Sequence, residues 1–446
     1  MMRLDRMPHL LLVLLLSLLS SVKSPAQPNE SPERHALAAY TGIYQWSDGH
    51  FLSVQFWPEL GPDQLCFFDE TGPIRALFAS GNDTFTLGPG LAVPKPVESE
   101  ISFERDGTGA VRSLVSRREG APPRSALRAS GFSVAPVSFR NGSTVLSGSL
   151  FLPAGPGPYA AVVLTQGSGA QDRYDALPFA WFLVCHGIAV LSYDKRGAGG
   201  STGDWQQSSF IDLADDALAA VHLLQKDRRI VSAKIGIMGA SQGGWIAPLA
   251  ASRSRDVAFV VSVSGPAVTP AEETLDFMRN EMKINGFSQG DVDQAATLAN
   301  AAFRYARTGQ GWNEYLALRK AATQTEWFPY MGLSDSVNDP QWTFKRLTFD
   351  YDPLPVLASV HCPVLAFFGG HDLNVVAEKN RALWKQSLDK ASNHDYLLSV
   401  IPAGNHVLLD AETGSIVEFP KLQRFDPQYE AELLQWMTQH LPGVIK

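Results

Sequence analysis

A serine stands on a glycine-framed turn in the middle of the chain. Ser241 lies in Gly239-Ala-Ser-Gln-Gly243, after strand-forming residues and before the helix-forming segment Trp245-Ile-Ala-Pro-Leu-Ala-Ala. A strand–turn–helix of this kind exposes the serine hydroxyl at the end of the strand, and small flanking residues permit the strained turn. The pattern therefore predicts nucleophilic catalysis by Ser241, whereas the same letters in an isolated loop would indicate only a turn.

A base and a group that orients it are predicted near the C-terminus, because a serine hydroxyl alone is a weak nucleophile. Asp372 ends the segment Gly369-Gly-His-Asp372 after one predicted strand, and His406 ends Gly404-Asn-His406 after the next. We expect His406 to take the proton from Ser241 and Asp372 to hold the imidazole in the right tautomer. Either residue alone could be an ordinary loop residue. Nearby side chains that fit these roles less well are His371, Asp352 and Asp410.

A glycine-rich loop follows the predicted strand at residues 160–165, with the sequence Gln166-Gly-Ser-Gly-Ala-Gln-Asp172. Tetrahedral intermediates of acyl transfer need two donors aimed at the developing oxyanion. We predict that these donors are the backbone N–H groups of Gln242, directly after the nucleophile, and of Ser168 in this loop. The alternative is a flexible loop without a catalytic role.

These motifs, together with Tyr193-Asp-Lys-Arg-Gly-Ala-Gly-Gly-Ser-Thr-Gly203, resemble those of the α/β-hydrolase superfamily, in particular its secreted bacterial esterase and serine-aminopeptidase-like branch. The resemblance covers residues 131–446, and the order Ser, Asp, His agrees with that superfamily. It implies that Asp194 and Arg196 brace the site as ion-pair partners and are not catalysts. Gln166 departs from the pattern, since many relatives carry histidine at that point.

Beyond residue 130, β-rich apolar runs alternate with helical segments. This alternation predicts an α/β fold with a mostly parallel sheet of eight strands and helices on both faces. Residues 266–351 have helical patterning at 271–284, 289–308 and 312–323, so we expect a helical cap over the nucleophile. Aromatic residues predicted to line an apolar substrate pocket are Trp245, Trp327 and Tyr330. The alternative for the cap aromatics is that they only pack the cap against the core.

Residues 37–120 contain short strand-like runs separated by turn sequences, and a small all-β domain is predicted there. Its aromatic side chains are expected to form a core, and the alternative is a sugar-stacking face through which this domain contacts a glycan. Residues 121–124 are interpreted as a linker before the second domain.

Residues 1–26 have the order of a secretory signal peptide: Arg3 and Arg6, an apolar run at 10–19, then small residues ending in Ala26. The alternative is an uncleaved N-terminal anchor. We expect a secreted or periplasmic protein, with no membrane span in the mature chain because no later apolar run approaches about 20 residues.

The overall composition narrows the function classes. The net charge is −8 and no basic run stands out, so nucleic acid is not an expected partner. The cysteines are Cys66, Cys185 and Cys362, without a C-x-x-C pair, and neither a metal nor an organic cofactor is implied.

The sequence thus predicts an exported serine hydrolase that cleaves carboxylic esters of small acyl or aromatic acids through an acyl-enzyme. Two alternatives stay open: a serine peptidase, aminopeptidase or thioesterase on the same triad, and a non-catalytic binding protein on the same scaffold.

Overall fold

A computed structural model describes residues 32–61 and 63–443 of the chain. The predicted signal peptide at residues 1–26 lies outside the described residues. The described chain forms an N-terminal β domain and an α/β domain that carries a helical cap. None of the helices in these ranges has the length and apolar character needed to cross a bilayer.

The N-terminal domain is an antiparallel, nearly closed β-barrel that follows a short helix, α1 (Pro32–Leu37). Its strands are β1 (Gly42–Trp46), β2 (Phe51–Phe56), β3 (Leu65–Asp69), β4 (Ile74–Ala76), β5 (Phe78–Gly81), β6 (Thr84–Leu87), β7 (Ser99–Arg105), β8 (Val111–Arg118) and β9 (Arg124–Arg128). They lie in the order β4-β3-β2-β1-β9-β8-β7-β6-β5. The small β domain predicted from the turn sequences is confirmed.

Strand β9 extends the β domain past the predicted boundary at residue 120. It pairs with both β8 and β1 and so occupies the middle of the sheet. In this strand Ala126 is the one side chain that is buried, while Arg124 and Arg128 are exposed. A strand with a single small residue in the core lacks an apolar signature, which explains why its beginning resembled a linker.

Most aromatic side chains of the barrel are buried. Tyr44, Trp46, Phe56 and Phe67 lie in its core, and Tyr40 packs edge-on against Phe85 at 5.1 Å between ring centroids. These positions agree with the core interpretation of the aromatic residues, and glycan contact by this domain stays a prediction.

The second domain contains a mixed eight-stranded sheet in the order β10-β11-β13-β12-β14-β15-β16-β17. The strands are β10 (Ser133–Asn141), β11 (Thr144–Leu152), β12 (Tyr159–Thr165), β13 (Ala189–Tyr193), β14 (Ile230–Ala240), β15 (Val260–Val263), β16 (Val364–Gly369) and β17 (Tyr396–Ile401). β10 and β11 are antiparallel, and β12 to β17 run parallel to one another. The predicted fold class is confirmed.

Successive side chains of a strand point to opposite faces of the sheet, and here both sets are apolar. Helices therefore cover both faces of this sheet. On β12, Ala161 and Val163 belong to one apolar cluster, and Val162 and Leu164 belong to the other. The first cluster contains residues of α3 (Phe210–Gln225), α4 (Gly243–Arg253) and α10 (Ala377–Lys390). The second contains residues of α2 (Leu177–Cys185) and α11 (Pro427–His440).

The cap between β15 and β16 consists of α5 (Pro270–Ile284), α6 (Gln289–Thr308), α7 (Trp312–Ala322), α8 (Gln341–Thr348) and α9 (Leu354–Leu357). The three predicted cap helices are confirmed within one residue at each end. Local signals set these ends: Thr269 and Ser288 accept N-capping hydrogen bonds, and Gly309 ends α6 in the left-handed conformation with φ +70°. The helices share an apolar core of their own.

The barrel is docked against the segment that follows His406. The backbone N–H of Leu91 donates to the carbonyl of Leu422 at 2.7 Å, and that of Ile74 donates to the carbonyl of Gln423 at 2.6 Å. Apolar side chains from both domains form the interface: Trp57, Leu60, Cys66, Phe68, Ile74, Ala76 and Leu91 from the barrel, and Leu409, Ala411, Phe419 and Leu422 from the segment. The β domain therefore supports the loop that carries the predicted base.

Candidate active site

Ser241 stands on a strained turn between β14 and α4. Its φ is +55°, in the left-handed region, and its backbone N–H donates to the carbonyl of Val263 at 2.9 Å. A Cβ atom at Gly239 would lie 2.1 Å from the carbonyl oxygen of Gly243, so no larger residue fits at that position without a shift of the turn. A side chain at Gly239 would therefore clash with the turn, and the flanking strand and helix keep Ser241 in its strained backbone conformation.

His406 and Asp372 form a hydrogen-bonded pair beyond the ends of β17 and β16. The imidazole Nδ1 lies 2.9 Å from Oδ2 and 3.0 Å from Oδ1 of Asp372. The carboxylate also accepts the backbone N–H groups of Asn374 and Val375 at 2.8 and 2.9 Å. Within the described part of the chain, the buried Nε2 of His406 has no hydrogen-bond partner. Because the Asp372 carboxylate accepts a hydrogen bond from Nδ1, the proton of the neutral imidazole lies on Nδ1, and Nε2 is available as a base.

Charges from three parts of the chain act on His406. Burial lowers the pKa of the imidazole, but the charge and hydrogen bond of Asp372 together with nearby carboxyl groups hold this pKa above its ordinary value. Glu273 in α5 and Glu59 in the barrel add to the effect. Burial raises the pKa of Glu273 to about 7, against the opposing attraction of His406. The cap and the β domain thus each place a carboxyl near the base.

The predicted oxyanion donors line one cavity. Gln242 and Ser168 both line it, and neither of their backbone N–H groups donates a hydrogen bond to any described residue. The two N–H groups are therefore free to bind a ligand atom, which is what a developing oxyanion needs.

Lys195 connects these two donor segments and was missed from the sequence. Its ammonium donates to the carbonyl of Gly169 and to the Gln242 side-chain oxygen, both at 2.9 Å, and also to the carbonyl of Gly167. The side chain is 2% exposed, and burial lowers its pKa to about 7, with Asp175 opposing. The ammonium form has three N–H donors, one for each acceptor. The signal available in the sequence was its place between Asp194 and Arg196 in the motif at residues 193–203.

Asp194 and Arg196 have the bracing roles that the resemblance implied. Asp194 forms an ion pair with Arg173 at 2.6 Å, and Arg196 forms one with Asp216 at 2.7 Å. These buried pairs fasten the loop after β13 to the oxyanion loop and to α3.

Gln166, which departs from the pattern of the resemblance, braces the oxyanion loop. Its side-chain amide donates to the carbonyl of Tyr193, while the amide oxygen of Gln171 accepts the backbone N–H of Gly167 at 2.5 Å. The loop is thereby tied to the end of β13 and to itself.

The three weaker candidates for the acidic or supporting role have other partners. His371 Nδ1 lies 2.8 Å from the carbonyl oxygen of Ala411. Asp352 accepts the backbone N–H of Leu354 at 3.0 Å, and Asp410 lies 3.5 Å from Arg424 at the surface.

A cavity of about 110 Å³ lies between the sheet and the cap beside Gln242. Trp245 lines it, and its indole N–H donates to the carbonyl of Val268 at 3.2 Å. Trp327 and Tyr330 are buried in the cap, where Trp327 belongs to the apolar core and Tyr330 packs against Phe287. The structure brings Trp245 together with the oxyanion donors but places the two cap aromatics outside the cavity lining, and substrate contact by them stays a prediction. Other apolar lining residues are Phe210, Phe303, Met331, Phe344 and Phe349.

No three histidine, cysteine, aspartate or glutamate side chains converge as metal ligands among the described residues. Cys66, Cys185 and Cys362 are free thiols. Burial raises the pKa of each, and that of Cys362 reaches about 11.

Comparisons with known proteins place residues 156–317 in a family model described as serine aminopeptidase, S33. The chain is 27% identical over 302 residues to Esterase EstD of Thermotoga maritima, and the match spans 66% of this chain and 66% of that protein. Two solved structures with a similar fold are the Pyrococcus furiosus esterase Pf2001 and the proline iminopeptidase of Mycobacterium smegmatis. Each is 16% identical with a TM-score of 0.43; each match covers 69% of this chain, and 91% and 98% of those chains respectively.

Proposed function

The chain belongs to the α/β-hydrolase superfamily, and from this premise we propose that it is a serine hydrolase that cleaves carboxylic esters of small acyl or aromatic acids. Ser241 is the nucleophile, His406 the general base and acid, and Asp372 the group that orients His406. The main support is the pairing of His406 Nδ1 with Asp372, which leaves Nε2 without a partner among the described residues. The similarity to an esterase favours ester substrates.

The proposed reaction has two balanced halves. The Ser241 hydroxyl adds to the ester carbonyl while its proton moves to Nε2 of His406, and Asp372 stabilises the imidazolium. The backbone N–H groups of Gln242 and Ser168 hold the oxyanion. When the carbon–oxygen bond breaks, the imidazolium gives its proton to the leaving alcohol. Water then attacks the acyl-enzyme by the same route, releasing the acid and restoring the serine.

A serine peptidase acting on short peptides is the second candidate, because the family model that matches residues 156–317 is that of a serine aminopeptidase. We also propose export of the enzyme, on the basis of the signal-peptide pattern at residues 1–26.

Hydrolysis of p-nitrophenyl acetate, butyrate and octanoate by residues 27–446 tests the proposal. We expect turnover of the shorter esters, and a loss of at least about a thousandfold in Ser241→Ala. Ser252→Ala is the matched control, because Ser252 lies in α4, the helix that follows Ser241, and its hydroxyl donates to the carbonyl of Leu249 within that helix. A fluorophosphonate should add its mass to the wild type and not to Ser241→Ala.

Two results would count against an esterase. A folded wild type that is inert toward all three esters but cleaves an aminoacyl p-nitroanilide would favour the peptidase. Undiminished activity in Ser241→Ala would remove the assigned nucleophile.

A further inference from the structure

The cavity beside Gln242 has one lysine in a cap wall that also contains aromatic, aliphatic and neutral polar side chains and one carboxyl group. Lys345 lines it from α8, next to Phe349 and Phe344. Its ammonium lies 5.4 Å from the centroid of the Phe349 ring and 6.0 Å from that of Trp342. An apolar acyl pocket does not require a charged group at this position, so the lysine needs a different explanation.

The ammonium group is only partly satisfied. Nζ has three N–H donors, and one of them reaches the side-chain oxygen of Gln341 at 3.0 Å. In the described ranges, no carboxylate lies within the 4.0 Å of Nζ that an ion pair requires. Burial lowers the pKa of Lys345 to about 8, with the more distant Asp339 opposing. The amine is therefore largely charged at neutral pH and has donors left for a ligand.

The carboxyl group that lines the same cavity interacts with the catalytic base and not with Lys345. Glu273 also lines the cavity, but its carboxyl interacts electrostatically with His406 and Asp372. Asp276, also in α5, is paired with Lys379 at 2.7 Å. The cavity is therefore polarised, with a carboxyl beside the catalytic base and an ammonium on the α8 side.

We propose that Lys345 binds a carboxylate at the far end of the substrate's acyl group, so that the enzyme prefers half-esters of short dicarboxylic acids. The inference rests on the proposed ester hydrolysis and specifies its substrate. The ester carbonyl lies at Ser241 and the oxyanion donors, the methylene chain runs along Trp245 and Phe344, and the carboxylate accepts hydrogen bonds from Nζ. A charge-assisted hydrogen bond of this kind is stronger than a neutral one and selects strongly against acyl groups that leave the lysine unpaired.

The test compares two methyl esters that differ in one charge. Monomethyl glutarate carries a carboxylate at the end of its acyl chain, and methyl glutaramate carries an uncharged amide of the same size. We expect kcat/KM, measured by methanol release, to favour monomethyl glutarate by about tenfold or more in the wild type. In Lys345→Met the ratio should fall to about one, with activity on methyl glutaramate retained.

Two further variants control for indirect effects. Lys345→Arg keeps the charge and should restore part of the preference. Lys385→Met removes a surface lysine paired with Asp389 and should behave as the wild type. A wild type that prefers the amide, or a Lys345→Met variant that keeps the preference, would overturn the inference.

A binding measurement separates this inference from the proposed function. Calorimetric titration of Ser241→Ala with monomethyl glutarate should show tighter binding than with methyl glutaramate, and the difference should disappear in Ser241→Ala combined with Lys345→Met. Equal binding of the two compounds, together with turnover of p-nitrophenyl acetate by the wild type, would refute the carboxylate site and leave the esterase intact. Absence of all ester turnover with a Lys345-dependent binding difference would refute the esterase alone.

Discussion

Replacing Lys195 by methionine should lower kcat about a hundredfold while the protein stays folded. The lysine joins the carbonyls of Gly167 and Gly169 to the side chain of Gln242, so it sets the distance between the two proposed oxyanion donors. Complete loss of one such donor costs about 10²–10³ in kcat. The backbone N–H groups remain in Lys195→Met but can move apart, so the lower end of that range is expected.

The effect on stability should be small by comparison. Methionine keeps the apolar part of the lysine side chain. Its presence leaves three acceptors unpaired, at a cost of about 1–3 kcal/mol for each acceptor, but removal of the buried charge offsets part of that cost. We expect the melting temperature to fall by a few degrees, as about 1–2 kcal/mol would produce in a domain of this size.

Steady-state kinetics with p-nitrophenyl butyrate and thermal unfolding measure both effects. Affinity for a boronic acid, which forms a tetrahedral adduct with the serine, should fall in parallel with kcat, while KM changes little. Lys234→Met is the matched control, since Lys234 only donates to the carbonyl of Pro442 at the surface. A folded Lys195→Met variant with kcat within threefold of the wild type would refute the reasoning.

Three other changes test the rest of the site. Asp372→Asn should lower kcat for p-nitrophenyl butyrate by about 10⁴ with little change in KM, because the amide no longer favours a proton on Nδ1 of His406. A loss of less than tenfold would contradict the role assigned to Asp372. Glu59→Gln should move the acid limb of the kcat/KM profile slightly to lower pH, because the base must be neutral and the ionised form of Glu59, whose own pKa is raised by burial, helps to raise the pKa of His406. Glu119→Gln is the exposed control, and an unmoved limb would exclude an effect of the barrel on His406. Gly239→Ala should lower the free energy of unfolding, measured with denaturant, by about 1–3 kcal/mol and remove most of the activity, because the added Cβ would lie 2.1 Å from the Gly243 carbonyl oxygen. Gly107→Ala has open space around the added Cβ and should be neutral, so equal stability of the two variants would contradict the steric argument.

The features that could be predicted from the sequence are those with local causes. The turn around Ser241 needs small residues at fixed offsets, and the cap helices α5 and α6 begin at the N-capping residues Thr269 and Ser288. The assignment of Asp372 and His406 as partners of Ser241 rested on their positions after two predicted strands and on the agreement of their order with the α/β-hydrolase superfamily. The parallel sheet followed from the alternation of strands and helices, which is also a short-range pattern.

The features that could not be predicted depend on residues distant in sequence. Strand β9 carries one buried side chain and owes its conformation to pairing with β1 and β8. Trp327 and Tyr330 are buried in the cap outside the cavity lining, Trp327 in the apolar core of the cap and Tyr330 against Phe287. Their position depends on how the cap helices pack against one another.

The roles of the charged residues around the site also depend on the tertiary structure. Lys195 and Lys345 are ordinary lysines in the sequence, and Glu59 lies in the other domain. Their effects come from burial, from the three acceptors around the Lys195 ammonium and the single one at Lys345, and from the barrel docked beside the segment that follows His406. Burial and through-space charge interactions are properties of the folded chain, since both depend on which distant segments exclude water from the same small volume.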